Sequence, residues 1–302
     1  MPGSPERGFG PALALLLNAF VWGVSWWPFR ELQRMGLHPL WATALIYTVA
    51  MALLLAARPR AWAALAREPM LWLLMAASGL TNVGFNWGVT VGDVVRVVLL
   101  FYLMPAWTLV LAWIFLGERP TRAGIVRLVI AMAGVVTVLK TPDAPWPVPQ
   151  SIADWLAIAG GFSFATTNIV LRRLRHVEAP ARVFSMFAGG AVLASVAAVI
   201  GMGAGLVPAL PAPQLEWAVV GFALSLGFLA SNMALQYGAS RLDAHASALI
   251  MLSEIVFASV SSVALGAATL AWRTVLGGAL ILLAAVWSAW AAAGGNEPDG
   301  AQ

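Results

Sequence analysis

The stretch Asn86-Trp87-Gly88-Val89-Thr90-Val91-Gly92 has a counterpart later in the chain, Asn232-Met233-Ala234-Leu235-Gln236-Tyr237-Gly238. After each stretch an aspartate, Asp93 or Asp243, leads into an apolar segment that ends in a Leu-Gly pair. The chain therefore contains two related halves. The number of times that each half crosses a membrane decides how the two halves are oriented.

Apolar segments of membrane-crossing length fill most of the sequence. Of the 302 residues, 61% are hydrophobic and 10% are charged, and the mean hydropathy is +0.85. Ordinary soluble domains are far less apolar. About 20 apolar residues cross a bilayer, and on this basis we expect ten spans. They are residues 11–31, 38–57, 70–91, 94–116, 122–140, 152–173, 181–203, 214–238, 243–266 and 271–293.

A proline-rich joint divides these spans into two groups of five. It holds four prolines in residues 141–150, which excludes a helix there. We therefore expect residues 1–140 to form a first five-helix repeat, residues 141–150 a linker, and residues 151–302 a second repeat. Because each repeat has an odd number of crossings, the second enters the membrane upside down. The predicted fold is an all-α integral membrane protein with ten transmembrane helices in two inverted five-helix repeats, an arrangement typical of alternating-access carriers.

The basic residues predict the orientation of the chain. With the N-terminus inside, eleven basic residues fall in cytoplasmic segments, and five fall in outer segments: Arg30, Arg34, Arg96, Lys140 and Arg273. This asymmetry follows the positive-inside rule. We expect both termini to be cytoplasmic, in a multi-pass inner-membrane protein that is a monomer. Because the basic residues lie at joints between spans, the net charge of +4 does not indicate a nucleic-acid partner.

The repeat pattern resembles a known group of carriers. Ten spans in two repeats, each with a Leu-Gly pair before a last helix rich in Gly and Ala, resemble the EamA-type carriers of the drug/metabolite transporter superfamily. Residues 102–109, Tyr-Leu-Met-Pro-Ala-Trp-Thr-Leu, are similar to a fourth-span segment of the YddG aromatic amino-acid exporters, and residues 252–258, Leu-Ser-Glu-Ile-Val-Phe-Ala, to a ninth-span segment common to EamA carriers. The second Leu-Gly pair lacks the glutamate that follows the first, Glu118. The resemblance implies an inner-membrane exporter of amino acids, with membrane lipid as its surroundings and without a nucleotide or metal cofactor.

Polar and aromatic side chains recur along single faces of several spans. Polar groups inside a membrane are costly, so each needs a reason. One reason is a mostly apolar pocket with a few hydrogen-bonding groups, and the other is hydrogen bonding between helices. The candidate substrate-binding residues are Trp22, Trp26, Ser78, Asn82, Phe85, Asn86, Tyr102, Phe228, Asn232, Met251 and Glu254.

Glu254 is the most informative of these residues. It lies about eleven residues into the ninth span, near the middle of the membrane, where an unpaired ionised carboxylate is expensive. Two interpretations stay open: a proton site or counter-charge for a substrate ammonium group, and a neutral acid that bonds to backbone or hydroxyl groups. The repeat alignment places Glu254 opposite Pro105, and Met251 opposite Tyr102.

Several other functions are disfavoured. The chain has no Cys, three scattered His residues, and neither a His-Glu-x-x-His nor a Gly-x-Ser-x-Gly motif, so we expect no enzyme and no metal site. A carrier of phosphorylated sugars needs basic residues in several spans, and only Arg127 lies deep. We therefore expect a secondary transporter that exports neutral or aromatic amino acids by alternating access. The alternative is an exporter of other amphiphilic metabolites or drug cations, with proton coupling through Glu254.

Overall fold

The computed structural model describes residues 9–117, 122–139, 148–239, 241, 250–251, 253–267 and 271–293. Within these residues the chain forms twelve helices that group into ten spans, which confirms the predicted all-helical, ten-span fold. Residues 243–249, at the start of the predicted ninth span, and residues 141–147 of the linker lie outside the described residues. The helices are Phe9–Val24 and Trp26–Arg34 in span 1, Pro39–Ala57 in span 2, Met70–Val91 in span 3, Val94–Phe101 and Met104–Leu116 in span 4, Arg122–Leu139 in span 5, Ile152–Arg173 in span 6, Ala179–Gly203 in span 7, Leu215–Ala239 in span 8, Ser253–Ala264 in span 9 and Trp272–Ala293 in span 10, with short 3-10 turns at Ala61–Ala66 and Leu174–His176.

Five of these stretches are long and apolar enough to cross a membrane by length and composition alone. They are Gly10–Arg34, Pro39–Ala57, Val94–Phe115, Ala179–Gly203 and Leu215–Gly238. Span 3 is less apolar because it carries Asn82 and Asn86, and both side chains are buried. A helix that other helices surround can carry such groups because it exposes little of its surface to lipid.

Two spans are interrupted four residues before a proline. A proline lacks the backbone N–H that would bond to the carbonyl group four residues earlier. Span 1 breaks after Val24, four residues before Pro28, and span 4 breaks after Phe101, four residues before Pro105. Both breaks fall inside the span, so the helix geometry changes near the middle of the bundle. Tyr102, one of the candidate site residues, lies in the second break.

The main helix contacts of one half recur in the other half. Span 3 packs against spans 6 and 7, and its counterpart, span 8, packs against spans 1 and 2. Span 1 packs against span 9 as span 6 packs against span 4. Three further contacts, of spans 2 with 7, 4 with 9 and 5 with 10, join a span to its own counterpart. This is the packing of two repeats related by a pseudo-twofold axis.

Glycines allow the closest of these contacts. A Cβ atom at Gly23 would lie 2.8 Å from the carbonyl oxygen of Glu254, and one at Gly161 would lie 2.5 Å from the carbonyl oxygen of Phe101. Small residues let helix backbones approach each other in lipid. A close glycine contact therefore joins span 1 to span 9, and another joins span 6 to span 4, both next to candidate site residues.

Candidate functional site

Five aromatic rings form a continuous wall through the centre of the bundle. Trp22 stacks on Phe228, with ring centroids 4.7 Å apart and planes inclined by 21°, and meets Phe85 edge-on at 6.0 Å. Phe85 lies 4.9 Å from Phe101, and Phe101 lies 6.3 Å from Tyr102. We call these five rings, from spans 1, 3, 4 and 8, the aromatic wall. They bring together four of the predicted site residues.

The rings of the wall differ in accessibility. Phe85, Phe101, Tyr102 and Phe228 are at most 6% exposed, whereas Trp22 is only partly buried. Stacking and edge-to-face pairs of this kind add about 0.5–1.5 kcal/mol each beyond the burial of their area. The wall is therefore a rigid apolar surface on which the Trp22 ring is the most accessible.

Further rings flank the wall, and sequence reasoning did not place them in the site. Tyr47 and Phe29 lie 5.7 and 6.3 Å from Phe228, and Phe164 lies 5.6 Å from Phe101. The signal for Phe164 was present, because the repeat alignment sets it opposite Trp22. Phe101 itself adjoins Tyr102 in the sequence but was missed.

Glu254 lies at the span 4 end of the wall. The hydroxyl of Tyr102 donates a hydrogen bond of 2.9 Å to Oε2 of Glu254, and the carbonyl oxygen of Met251 lies 3.4 Å from the same hydroxyl. Glu254 is 7% exposed, and none of the ion pairs found among the described residues includes it. A buried carboxyl group that, among the described residues, is hydrogen-bonded by a phenol and has no ion-pair partner can take up a proton or a substrate cation.

A second polar group lies beyond the other end of the wall. The hydroxyl of Tyr47 donates a hydrogen bond of 2.6 Å to Oδ1 of Asn82. Asn86 is fully buried one turn further along span 3, where its Nδ2 lies 3.3 Å from Thr43 Oγ1. Its Oδ1 finds no hydrogen-bond partner within the described part of the chain. Tyr47 thus connects Asn82 to the wall through its ring contact with Phe228.

Three predicted site residues make hydrogen bonds away from the wall. Ser78 Oγ donates 2.7 Å to the Leu74 carbonyl oxygen of its own helix. Asn232 Oδ1 accepts a hydrogen bond of 3.0 Å from Gln236 Nε2. Trp26 is 2% exposed and joins span 1 to span 9, since its Nε1 donates 2.9 Å to Ser261 Oγ. None of these three side chains has a ring contact with the wall.

An ion pair joins spans 4 and 6 at the side of the molecule predicted to face outward. Arg96 donates to both carboxylate oxygens of Asp154, at 2.8 and 2.9 Å. Asp154 is 1% exposed and also accepts 3.0 Å from the backbone N–H of Gln150. The two residues are 58 positions apart, so no local pattern in the sequence indicated the pair.

A second arginine, Arg30, joins spans 1 and 3 on the same side of the bundle. The Arg30 guanidinium donates to the carbonyl oxygens of Val89, at 3.3 Å, and Gly92, and lies 5.2 Å from the Trp26 ring. These carbonyl groups end span 3, where a cation is favourable. Within the described residues no group of three or more His, Asp or Glu side chains could hold a metal ion.

Comparisons with known proteins agree with this architecture. A model of the EamA-like transporter family matches residues 10–140 and again residues 151–290. One solved crystal structure is similar, with a TM-score of 0.60 and 18% sequence identity over 95% of this chain and 98% of that chain. At this identity the likeness shows the fold alone. A search of curated proteins finds no match for the sequence.

Proposed function

This chain belongs to the EamA-like transporter family, and on that premise we propose that it exports neutral, chiefly aromatic, amino acids across the bacterial inner membrane by alternating access. Membership makes the protein a multi-pass membrane transporter of small molecules and not an enzyme. The substrate class, the direction and the mechanism are the proposal.

The aromatic wall is the observation that supports this substrate class. A flat apolar side chain can stack on or meet the edge of the partly exposed Trp22 ring, and Phe228 and Phe85 fix that ring by contact on two sides. Pockets of this kind bind by apolar packing and use a few polar groups for orientation. Discrimination by packing is shallow, about 1–3 kcal/mol per methylene, so we propose broad recognition of large neutral amino acids.

The head group of such a substrate needs few partners. We propose that Glu254 faces the ammonium group, because its carboxyl is the acidic group that adjoins the wall. Substrate contact is then assigned to Trp22, Phe85, Tyr102, Phe228, Met251 and Glu254, with Asn82 as a polar group at the edge. We propose that Trp26, Ser78, Asn86 and Asn232 hold the surrounding helices in place.

The recurrence of the main helix contacts in the two halves supports alternating access. We propose that residues 1–140 and 151–302 act as two repeats, joined by residues 141–150, that rock about the contacts of each span with its counterpart. The positive-inside asymmetry supports cytoplasmic termini. On this orientation the Arg96–Asp154 pair and Arg30 lie at the outer side and must rearrange when that side opens.

One further observation favours the second candidate function. Glu254 is a nearly buried carboxyl group that carries no cationic partner among the described residues, and a carrier could load it alternately with a proton and an organic cation. The protein would then export drug cations or other amphiphilic metabolites in exchange for protons.

Transport in proteoliposomes separates the two candidates. With labelled phenylalanine outside and unlabelled phenylalanine inside, the proposed function predicts counterflow that needs no pH gradient. With a lipophilic organic cation as substrate, the second candidate predicts accumulation driven by a pH gradient. If the organic cation accumulates and phenylalanine shows no counterflow, export of organic cations becomes the favoured function and amino-acid export is contradicted.

A further inference from the structure

Arg127 is a charged side chain inside span 5 that the proposed transport function does not use. It lies five residues after the first residue of the helix, about 7–8 Å along the axis. Its guanidinium carbon is 6.0 Å from the centroid of the Trp287 ring, and Nη1 lies 3.5 Å from the Trp287 carbonyl oxygen. No carboxylate among the described residues forms an ion pair with it. An arginine inside a membrane span, with no carboxylate partner in the described part of the chain, is a candidate functional residue.

Arg127 borders a groove between helices of the two halves. Spans 5 and 10 are in closest contact at Gly134, where a Cβ atom would lie 2.7 Å from the Gly277 carbonyl oxygen. Towards Arg127 a shallow surface groove lies between spans 4, 5 and 10. Its lining, apart from Arg127, is small or apolar: Ala106, Leu109, Gly124, Leu128, Ala131 and Ala284.

We propose that this groove binds an anionic phospholipid, with part of an acyl chain against spans 4, 5 and 10 and the phosphate on the guanidinium of Arg127. The planar guanidinium matches phosphate oxygens in two-point hydrogen bonds. The apolar lining of the groove would not help to bind a free phosphate ion. An acyl chain, in contrast, would bury that lining. Trp287 is 38% exposed beside the guanidinium, and tryptophan is enriched at the level of lipid head groups.

The surface around the groove supports a lipid occupant. Large apolar side chains on spans 4 and 5 point away from the bundle beside it, including Trp113 at 53%, Ile125 at 51% and Val126 at 46% exposure. Such a surface faces acyl chains in a membrane. The lipid would lie between spans 4 and 5 of the first half and span 10 of the second, so it would contact both repeats.

Native mass spectrometry of the delipidated full-length protein tests the site. The protein is titrated with palmitoyl-oleoyl phosphatidylglycerol, with phosphatidylcholine of the same chains, and with inorganic phosphate. We expect the wild type to bind phosphatidylglycerol about fivefold more tightly than phosphatidylcholine, the effect of one arginine near an anionic lipid. Arg127→Gln should abolish this preference, and Arg127→Lys should keep most of it. Arg122→Gln is the matched control because Arg122 is exposed at the start of the same helix, and it should keep the preference.

The groove itself is tested by a change that keeps the charge. Ala131→Leu fills part of the groove and should weaken the binding of both lipids. The ratio of the affinities for phosphatidylglycerol and phosphatidylcholine should stay the same. An Arg127→Gln protein that prefers phosphatidylglycerol as the wild type does would overturn the proposal. Inorganic phosphate that displaces the lipid completely, or an Ala131→Leu protein with unchanged lipid binding, would equally overturn it.

Discussion

Tyr102 and Glu254 are joined by a hydrogen bond of 2.9 Å that crosses between the two repeats. Tyr102 lies in the break of span 4, and Glu254 lies in the helix of span 9. The repeat alignment sets Glu254 opposite Pro105, whose missing N–H accompanies that break. The bond therefore connects corresponding parts of the two halves beside the aromatic wall, where the substrate is proposed to bind.

Glu254→Gln should slow neutral amino-acid exchange without abolishing it. A glutamine oxygen can still accept from the Tyr102 hydroxyl and from the substrate ammonium group, but it no longer offers that group a negative charge. Glu254→Ala should lower stability by about 1–3 kcal/mol, because the buried hydroxyl loses its acceptor. The measurements are counterflow at pH 6 and pH 8 and thermal unfolding in detergent. Loss of pH-driven uptake in Glu254→Gln, with counterflow intact, would show that Glu254 carries protons.

Trp22→Ala should reduce phenylalanine and tryptophan counterflow at least tenfold, and threonine counterflow much less. Removal of the ring takes away the accessible part of the wall, and each aromatic pair that a substrate loses costs about 0.5–1.5 kcal/mol beyond the lost apolar contact. Trp27→Ala is the matched control, since Trp27 is 50% exposed on the same span and belongs to no described ring pair. Equal losses in the two variants would mean that Trp22 is not a substrate contact.

Asp154→Asn should destabilise the protein by about 1–3 kcal/mol. The change weakens a two-point ion pair in which the Asp154 side chain is 2% exposed and the Arg96 side chain is 20% exposed, so Arg96 loses its partner charge in a half-buried position. Glu31→Gln is the comparison, because the Glu31–Arg34 pair is largely exposed and such pairs contribute about 0–1 kcal/mol. Thermal unfolding measures both. If Asp154→Asn lowers the stability no more than Glu31→Gln does, the Arg96–Asp154 pair does not hold spans 4 and 6 together.

Single cysteines test the proposed orientation without background, because the chain has no Cys. A cysteine at Gly3 or Gly300 should react with an impermeant thiol reagent from the cytoplasmic face. A cysteine at Ala144 should react from outside, since five crossings separate it from the N-terminus. Labelling of Ala144→Cys from the cytoplasmic face alone would contradict the inverted arrangement of the repeats.

Much of the fold was predictable because lipid imposes simple length and polarity rules. Span 3 was predicted at residues 70–91 and span 6 at 152–173, and the helices have these limits. In span 1 the predicted segment, residues 11–31, was too short at the outer end. In the structure the helix continues to Arg34, while Arg30 turns to the carbonyl groups at the end of span 3.

The site was predictable only in part, because periodicity gives the face of one helix and not the partner that packs on it. Trp22 and Trp26 share a face of span 1 by spacing, yet Trp22 meets the wall and Trp26 bonds to Ser261. Tyr47 and Asp154 form their key contacts with residues far away in the sequence. Pairs of this kind depend on how ten helices pack, which no single segment encodes.

Counterflow of labelled tryptophan in wild-type proteoliposomes tests the central claim most directly. Vesicles are loaded in turn with tryptophan, phenylalanine, methionine, leucine, serine, lysine, aspartate or a sugar phosphate, and the initial rate of tryptophan entry is measured without a pH gradient. The account predicts that the four large neutral amino acids support exchange at least tenfold faster than serine, lysine or aspartate. Fastest exchange with aspartate or the sugar phosphate would contradict it, because the aromatic wall and Glu254 offer such anions no balancing charge.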